Sequence, residues 1–254
     1  MTVAPDAGPT IDLIDVLWNR RPGPTRGPKA TLTLEALAGA AVDIADAEGI
    51  DAVSMQRVAE SLGFSKMAIY RHVPNKDVLL AVMIDRAVEA PPDLGRQRGW
   101  RSKLRRYAEE LWAVWQRHPW LPTVTLGTRV MGPNETGWVE QAVGSLAGTG
   151  LPGDQQIDAV LLLSAQVRTA HSLATAGSFP WDTSRRLTPA MTEVVREHAD
   201  AYPAILAAAG SGGRPLRTVT DGIGLDCVLD GIERQIQAAQ ASPTSTSSAA
   251  QEPS

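Results

Sequence analysis

Cationic and hydrogen-bonding side chains are concentrated between Ser54 and Lys76, where the pattern predicts two short helices around a tight turn. The second helix is predicted over about residues 66–72, with Ser65 as its N-cap and Pro74 preventing its continuation. The DNA major groove is about 12 Å wide, accepts one helix and is read by the first turns of that helix. This stretch therefore predicts recognition of base edges and phosphates in a major groove.

The side chains of the second helix divide by their expected direction. Ile69 is predicted to face inward and to anchor the helix. Lys66, Ala68 and Arg71 are predicted to face outward and read bases, with the small Ala68 leaving room for a thymine methyl. The predicted phosphate contacts are Ser65, Tyr70, His72 and Lys76. From the residues alone, an ordinary solvated helix face explains the same pattern equally well.

The surrounding elements all have helical spacing, and no segment alternates at period two. Thr33 and Ser54 are predicted to cap the first two helices, and Asn75 is predicted to cap a fourth. The expected fold class is all-α, with an N-terminal three-helix helix-turn-helix DNA-binding domain before a larger helical ligand-binding and dimerisation domain. The predicted units are a flexible basic Pro/Gly-rich arm (1–31), a DNA-binding domain (32–78), a ligand-binding and dimerisation domain (79–240) and a disordered tail (241–254).

The predicted arm contains four cations and no acids between Leu17 and Thr31. These cations are Arg20, Arg21, Arg26 and Lys29. They are suited to a minor groove or to phosphates, and a solubilising tail is an equally good interpretation. Residues 11–18 are apolar enough for a local helix, but a mobile arm is the expectation.

The second half is predicted to contain helices over about residues 100–117, from near 119, and over 134–148, 154–176, 189–201 and 220–240. Asp154 is the predicted cap of the fourth of these, whose apolar run 160–163 predicts burial on more than one side. Cys227 is expected to be a small buried residue. Helices 154–176 and 220–240 are the predicted homodimer scaffold, and a plain core role is the alternative.

Composition excludes several classes of protein. The net charge of −4 excludes a generally basic protein that coats nucleic acid, so DNA contact needs a local patch. A single cysteine, no visible signal peptide and no apolar run of about 20 residues predict a cytoplasmic chain outside the membrane. No phosphate-binding loop, nucleophile elbow or metal-ligand spacing is present, so we expect no enzyme, no cofactor and no metal site.

Residues from about 33 to 77 resemble the N-terminal domain of the tetracycline-repressor (TetR) family. The likeness is carried by Ala45–Gly49, Val58–Phe64, Ala68–Val73 and Asn75-Lys76. It implies that Gln56 and Arg57, on the helix that Ser54 is predicted to cap, also reach the DNA. It further implies a dimer on double-stranded operator DNA.

The rest of the chain resembles the tetracycline-repressor-like C-terminal class of the same family. The residues that carry this likeness are Trp100, Leu104-Arg105, Thr125–Arg129, Gly150-Leu151 and Leu225–Glu233. The resemblance implies a ligand-induced repressor, in which a small molecule enters the core, shifts the fourth helix and moves the DNA-binding domains of the two subunits apart. These two domains are called the reading heads below.

One departure bears on the ligand. Tetracycline repressors have a metal-binding histidine where this chain has Thr125, and threonine is a poor ligand for a divalent ion. A metal-free small organic inducer, of a kind the sequence does not identify, is therefore expected. The predicted ligand contacts are Trp112, Trp115, Thr125, Arg129, Gln166 and His171. Core packing is the stronger alternative for both tryptophans, and a satisfied core histidine is the stronger alternative for His171.

These observations predict a ligand-responsive, homodimeric repressor of a palindromic operator. The alternatives are an all-α protein that binds small molecules without binding an operator, and an activator of the same fold.

Overall fold

The computed structural model describes residues 8–18, 32–177, 180–210 and 213–241. Within these ranges the chain is helical and contains no strand, only an isolated antiparallel bridge between Trp181 and Leu187. The predicted all-α class is confirmed. The helices are α1 (Gly8–Leu17), α2 (Leu34–Glu48), α3 (Met55–Leu62), α4 (Lys66–Tyr70), α5 (Lys76–Val88), α6 (Gly99–Arg117), α7 (Leu121–Val124), α8 (Pro133–Gly144), α9 (Gly153–Ala176), α10 (Pro189–Glu197), α11 (Pro203–Gly210) and α12 (Gly224–Ala241).

Local capping explains where the helices of the predicted DNA-binding domain begin. Thr33, Ser54 and Asn75 each accept a hydrogen bond from a first-turn backbone amide, at 3.1, 3.1 and 2.9 Å. Gly63 ends α3 in the left-handed conformation, at φ 70°, which glycine adopts without a steric penalty. These contacts fix the tight turn between α3 and α4, as the sequence predicts.

The core of this domain is formed where α2, α3, α4 and α5 meet. Leu37, Val58, Ile69 and Leu79 have no exposed surface or almost none, and each comes from a different helix. Ile69 therefore anchors α4 as predicted. The predicted domain boundary at residue 78 falls inside α5, which continues without interruption from the DNA-binding domain into the second half.

The first helix corrects the expectation of a mobile arm for residues 11–18. α1 packs against α5, Leu17 is buried, and the Trp18 indole N–H donates to the Met131 carbonyl at 3.2 Å. The segment is ordered because its apolar side has a partner that is distant in sequence. Residues 19–31, which include Arg20, Arg21, Arg26 and Lys29, lie outside the described residues, and so does the predicted tail from 242 onward.

The second half of the chain is the predicted ligand-binding and dimerisation domain from residue 79 onward, and it is called the ligand half below. It is built around α9, which packs against α6, α8 and α12. Val160 and Leu163 are buried, but Leu161 and Leu162 are 63% and 56% exposed. The prediction that the run 160–163 is buried on more than one side is therefore wrong for the single chain. The neighbouring helices cover one side of α9 and leave the other open.

Some local predictions in this half are also wrong. Pro152, not Asp154, occupies the cap position of α9. Cys227 is exposed, because it lies two positions after Leu225 on a helix whose buried side is Leu225, Leu229, Ile232 and Ile236. α11 has no counterpart among the predicted helices. No helix in the described part of the chain is long and apolar enough to cross a membrane.

Candidate nucleic-acid interface and ligand half

The candidate reading helix, α4, is short and held at both ends. The Ser65 hydroxyl accepts a hydrogen bond from the backbone N–H of Ala68 at 3.3 Å, and this bond caps the first turn. Ile69 in the helix and Val73 just after it are fully buried. A five-residue helix gains little stability by itself, so these anchors determine its orientation.

The open side of α4 carries Lys66, Met67 and Tyr70, and Arg71 is exposed at its C-cap. Met67 is 69% exposed and was not among the DNA contacts predicted from the sequence. The signal was available, since Met67 precedes the inward-facing Ile69 by two positions and must point to the opposite side of a helix. Ala68 is half-buried against the core, which corrects the prediction that it faces fully outward.

Among the residues that the structure describes, the cations of this surface have no acidic partner. The Lys66 ammonium lies 5.8 Å from the centre of the Tyr70 ring, at cation–π distance. Across the described ranges, no carboxylate lies within ion-pair distance of Lys66, Arg71 or Lys76. Such groups can bind phosphate without first releasing an intramolecular partner.

The two predicted contacts on α3 differ from those on α4 because both have acidic partners. The Gln56 amide donates to Glu60 Oε1 at 2.6 Å, and the Arg57 guanidinium pairs with Glu48 at 2.6 Å. The hydrogen bond and the charge of Glu48 raise the pKa of Arg57, which stays cationic. Binding to DNA through Arg57 would exchange the Glu48 carboxylate for a phosphate or a base.

Three of the predicted ligand residues form a compact tryptophan–histidine cluster, defined as Trp112, Trp115 and His171. All three are buried, and the histidine ring meets the two indoles edge-on at 5.7 and 6.2 Å. His171 Nε2 donates to the Trp115 carbonyl at 3.1 Å. Burial lowers the pKa of His171 and outweighs the effect of this hydrogen bond, so the ring is neutral near pH 7.

Arg168 joins this cluster to α7 and was not among the ligand contacts predicted from the sequence. Its guanidinium lies 4.9 Å from the Trp115 ring centre, and it donates to the Pro122 carbonyl and, at 3.2 Å, to the Thr125 hydroxyl. Burial lowers the pKa of Arg168. Thr125 is thereby connected to the cluster through the Arg168 guanidinium.

The other two predicted ligand residues lie elsewhere. Arg129 forms a two-pronged ion pair with the buried Glu135 at the start of α8. Gln166 packs so closely against Gly224 that a side chain at Gly224 would overlap it. The structure therefore brings together four of the six predicted ligand residues, namely Trp112, Trp115, Thr125 and His171.

The open space in this half does not coincide with that cluster. A cleft of about 790 Å³ lies between the end of α5 and the outer side of α6, and its lining includes Glu89, Arg96 and Trp138. The cluster does not line this cleft, and its side chains are packed against one another. Entry of a ligand among them would require the helices around the cluster to move.

Two family descriptions match the chain and together cover most of it. Residues 37–83 match "Bacterial regulatory proteins, tetR family", and residues 91–236 match "Tetracyclin repressor-like, C-terminal domain". The chain belongs to the TetR family. The family assignment predicted from both halves of the sequence is thereby confirmed, and the chain is a DNA-binding transcriptional regulator of this family.

A full-length relative supports the same assignment. The HTH-type transcriptional repressor DrrR1 of Streptomyces coeruleorubidus is 34% identical over 241 residues, which cover 89% of this chain and 87% of DrrR1.

Solved structures show the shared fold. Apo ActR from Streptomyces coelicolor superposes with a TM-score of 0.67 at 22% identity, over 83% of this TetR-family chain and 99% of ActR. ActR in complex with actinorhodin gives a TM-score of 0.61 at 23% identity, over 84% and 98% of the two chains.

Proposed function

We propose that this TetR-family chain is a homodimeric repressor that binds a palindromic operator through α4 and leaves it when a small organic molecule binds. The observation that carries the proposal is the open side of α4, where Lys66, Met67 and Arg71 are exposed and the two cations have no acidic partner within the described part of the chain. Repression rather than activation is supported by the 34% identity to the repressor DrrR1.

The proposed DNA contacts follow from exposure and chemistry. Lys66 and Arg71 donate to base edges, and the exposed thioether of Met67 packs on a thymine methyl beside Ala68. Gln56 and Arg57 add contacts from α3. Contacts to phosphate are assigned to Ser65, Tyr70, His72 and Lys76, the last of which is exposed at the first position of α5.

Dimerisation is proposed through α9 and α12. Ile157, Leu161 and Leu162 of α9 are more than half exposed in the single chain. An apolar groove of about 310 Å³ between the two helices adjoins them and is lined in part by Leu162, Gly231 and Ile232. Two copies related by a two-fold axis would cover this surface and would place their α4 helices in successive major grooves, about 34 Å apart.

The proposed inducer is a flat aromatic molecule that enters beside the tryptophan–histidine cluster. The cluster supplies indole edges and faces, and Thr125 and Arg168 supply one hydroxyl and one half-buried cation. ActR, of the same fold, is solved in complex with actinorhodin. Arg129 and Gln166 are proposed only as secondary contacts, because neither touches the cluster. Since it acts on operator DNA, the chain is proposed to work in the cytoplasm.

Selection of bound fragments from random double-stranded DNA tests this function, at a salt concentration of about 150 mM because phosphate binding depends on salt. The expected result is a palindrome with half-sites about one helical turn apart. No enrichment by a folded, dimeric protein would contradict operator binding. It would favour the alternative of an all-α protein that binds small molecules without DNA.

A further inference from the structure

The last turn of α5 is attached to the start of α8 by three hydrogen bonds. Asp85 Oδ1 accepts from the backbone N–H of Glu135 at 3.1 Å, and the Asp85 carbonyl accepts from the Asn134 amide at 2.9 Å. The Trp138 indole N–H donates to the Val88 carbonyl at 3.1 Å. α5 begins in the DNA-binding domain, at Lys76, and its last turn lies against α8. These hydrogen bonds therefore connect the DNA-binding domain to the ligand half.

Asp85 serves as the cap that α8 itself lacks. The cap position of α8 is Gly132, which offers no side chain, and the carboxylate that meets the first-turn amide belongs to α5 instead. Asp85 is only 8% exposed, and burial is the main cause that raises its pKa, opposed by the amides of α8. A buried carboxylate held in this way fixes the distance between the two helices, since moving them apart would leave it without its donors.

Gly132 is required by this contact rather than by its own backbone. Its φ is −81°, which any residue can adopt, but an added Cβ would overlap the Asp85 carboxyl group and lie 2.7 Å from Asp85 Cβ. A substitution at Gly132 therefore pushes on α5 through Asp85, which supplies the three atoms nearest to the added Cβ. Gly144 is a matched position at the end of the same helix, because a Cβ there meets nothing within 4 Å.

Two further observations show that this junction is held under constraint. Glu89, just after α5, has φ 59° and ψ −172°, a conformation that side-chain-bearing residues rarely adopt, and it is held by Arg117 at 3.0 Å. From the other side, Trp18 donates to the carbonyl of Met131, the neighbour of Gly132. The turn before α8 is thus attached both to α1 and to α5.

We propose that Asp85 is a positioning residue that transmits the state of the ligand half to the reading heads, by capping α8 from α5. Displacement of α8 at Glu135, whose partner Arg129 lies in the ligand half, moves α5 through this cap and changes the distance between the two α4 helices of the dimer. This inference rests on the proposed function, because it assumes that two heads must be correctly spaced on one operator.

Binding to the selected palindrome and to a single half-site tests the proposal in the full-length dimer. Asp85→Ala and Gly132→Ala should each weaken palindrome binding by roughly 5- to 150-fold, the usual range of coupling between sites. Half-site binding should stay unchanged, since α4 itself is intact. Asp85→Asn keeps an oxygen acceptor for the Glu135 amide and should rescue palindrome binding, and Gly144→Ala should behave as wild type.

Two results would overturn the proposal: equal losses on palindrome and half-site, or wild-type palindrome binding by a folded Gly132→Ala dimer. A wild-type protein that prefers no palindrome would refute the proposed function instead. The positioning role is then measured without DNA, as the distance between spin labels at Asp51→Cys of the two heads in a Cys227→Ser background. The label distance should differ between Gly132→Ala and Gly144→Ala, and identical distances would exclude the role of Asp85.

Discussion

The DNA-binding domain and the ligand half use their cations in opposite ways. In the first, Lys66, Arg71 and Lys76 are exposed and without acidic partners among the described residues. In the second, arginines form ion pairs with carboxylates, either on a different helix or loop or on the same helix. These paired arginines are Arg101, Arg105, Arg106, Arg117 and Arg129.

The surface around α4 therefore has cations available for binding, whereas the arginines of the ligand half are used to hold its own helices in place. Exposed ion pairs contribute little to stability, about 0–1 kcal/mol each, so the pairs of the ligand half mainly orient its helices. Lys66, Arg71 and Lys76, which have no acidic partner in the ranges that the structure describes, leave their full charge for phosphates. Arg57 is intermediate, since its pair with Glu48 must open before it can contact DNA.

The largest effect is expected from the scaffold. Leu161→Glu combined with Leu162→Glu places charges on the exposed side of α9 and should abolish the dimer, weakening palindrome binding at least about 100-fold. Sedimentation and DNA titration measure both quantities. Leu126→Glu is the matched control, because Leu126 is similarly exposed but lies outside α9 and α12. A double variant that remains dimeric would refute the proposed interface.

Within α4, truncation of the buried anchor Ile69 should affect stability, whereas truncation of the exposed Met67 should affect base preference. Ile69→Ala empties a buried site and should lower the free energy of unfolding by about 2–5 kcal/mol in urea titration. Met67→Ala should change that free energy by no more than about 0.5 kcal/mol, because the side chain is exposed. It should, however, alter the preferred base at one operator position in the selection experiment. Similar destabilisation by both variants would show that Met67 is a packing residue.

Lys66 is the first residue of α4 and Lys76 is the first residue of α5. Replacing one should change sequence preference, whereas replacing the other should change overall affinity for DNA. Lys66→Ala should cost about 1–3 kcal/mol at one base pair and relax the preference there. Lys76→Ala should weaken all sites alike and reduce the slope of log affinity against log salt by about 1. Arg98→Ala, an exposed cation of the ligand half, is the control. Equal losses on every operator variant for both lysines would remove the base-reading role of Lys66.

The smallest effect concerns the tryptophan–histidine cluster and pH. Burial lowers the pKa of His171 in the folded chain below its ordinary value of 6.5, so the unfolded chain binds the proton more readily. The neutral ring therefore supports stability above that value, and its contribution is lost as pH falls. Urea titrations from about pH 7.5 to 5.5 should show a steeper loss for wild type than for His171→Gln, which does not titrate.

His198→Gln, which replaces an exposed histidine, is the control for the pH experiment. If the free energy of unfolding depends on pH equally in wild type and in His171→Gln, the pKa of His171 is not lowered by burial.

The same contrast explains what the sequence could predict. The caps Thr33, Ser54 and Asn75 and the anchor Ile69 act on residues a few positions away, so the sequence alone located the helices of the DNA-binding domain. The roles of Trp18, Asp85 and Arg168 depend on partners 113, 50 and 46 positions away, and no local pattern identified them. The helical spacing of Trp112 and Trp115 indicated core packing as the stronger alternative to ligand contact, and both indoles are buried, while their role as ligand contacts stays a prediction. The exposure of Cys227 and Leu161 was missed because it depends on which side of each helix its neighbours cover.

The most direct test of the account compares wild-type binding to the selected palindrome with binding to a version carrying about half a helical turn of extra DNA, roughly five base pairs, between the half-sites. We expect a loss of at least about 100-fold, because one rigid dimer cannot place both α4 helices on opposite faces of the duplex. Equal affinity for the two DNAs would contradict a scaffold that fixes the spacing of two reading heads.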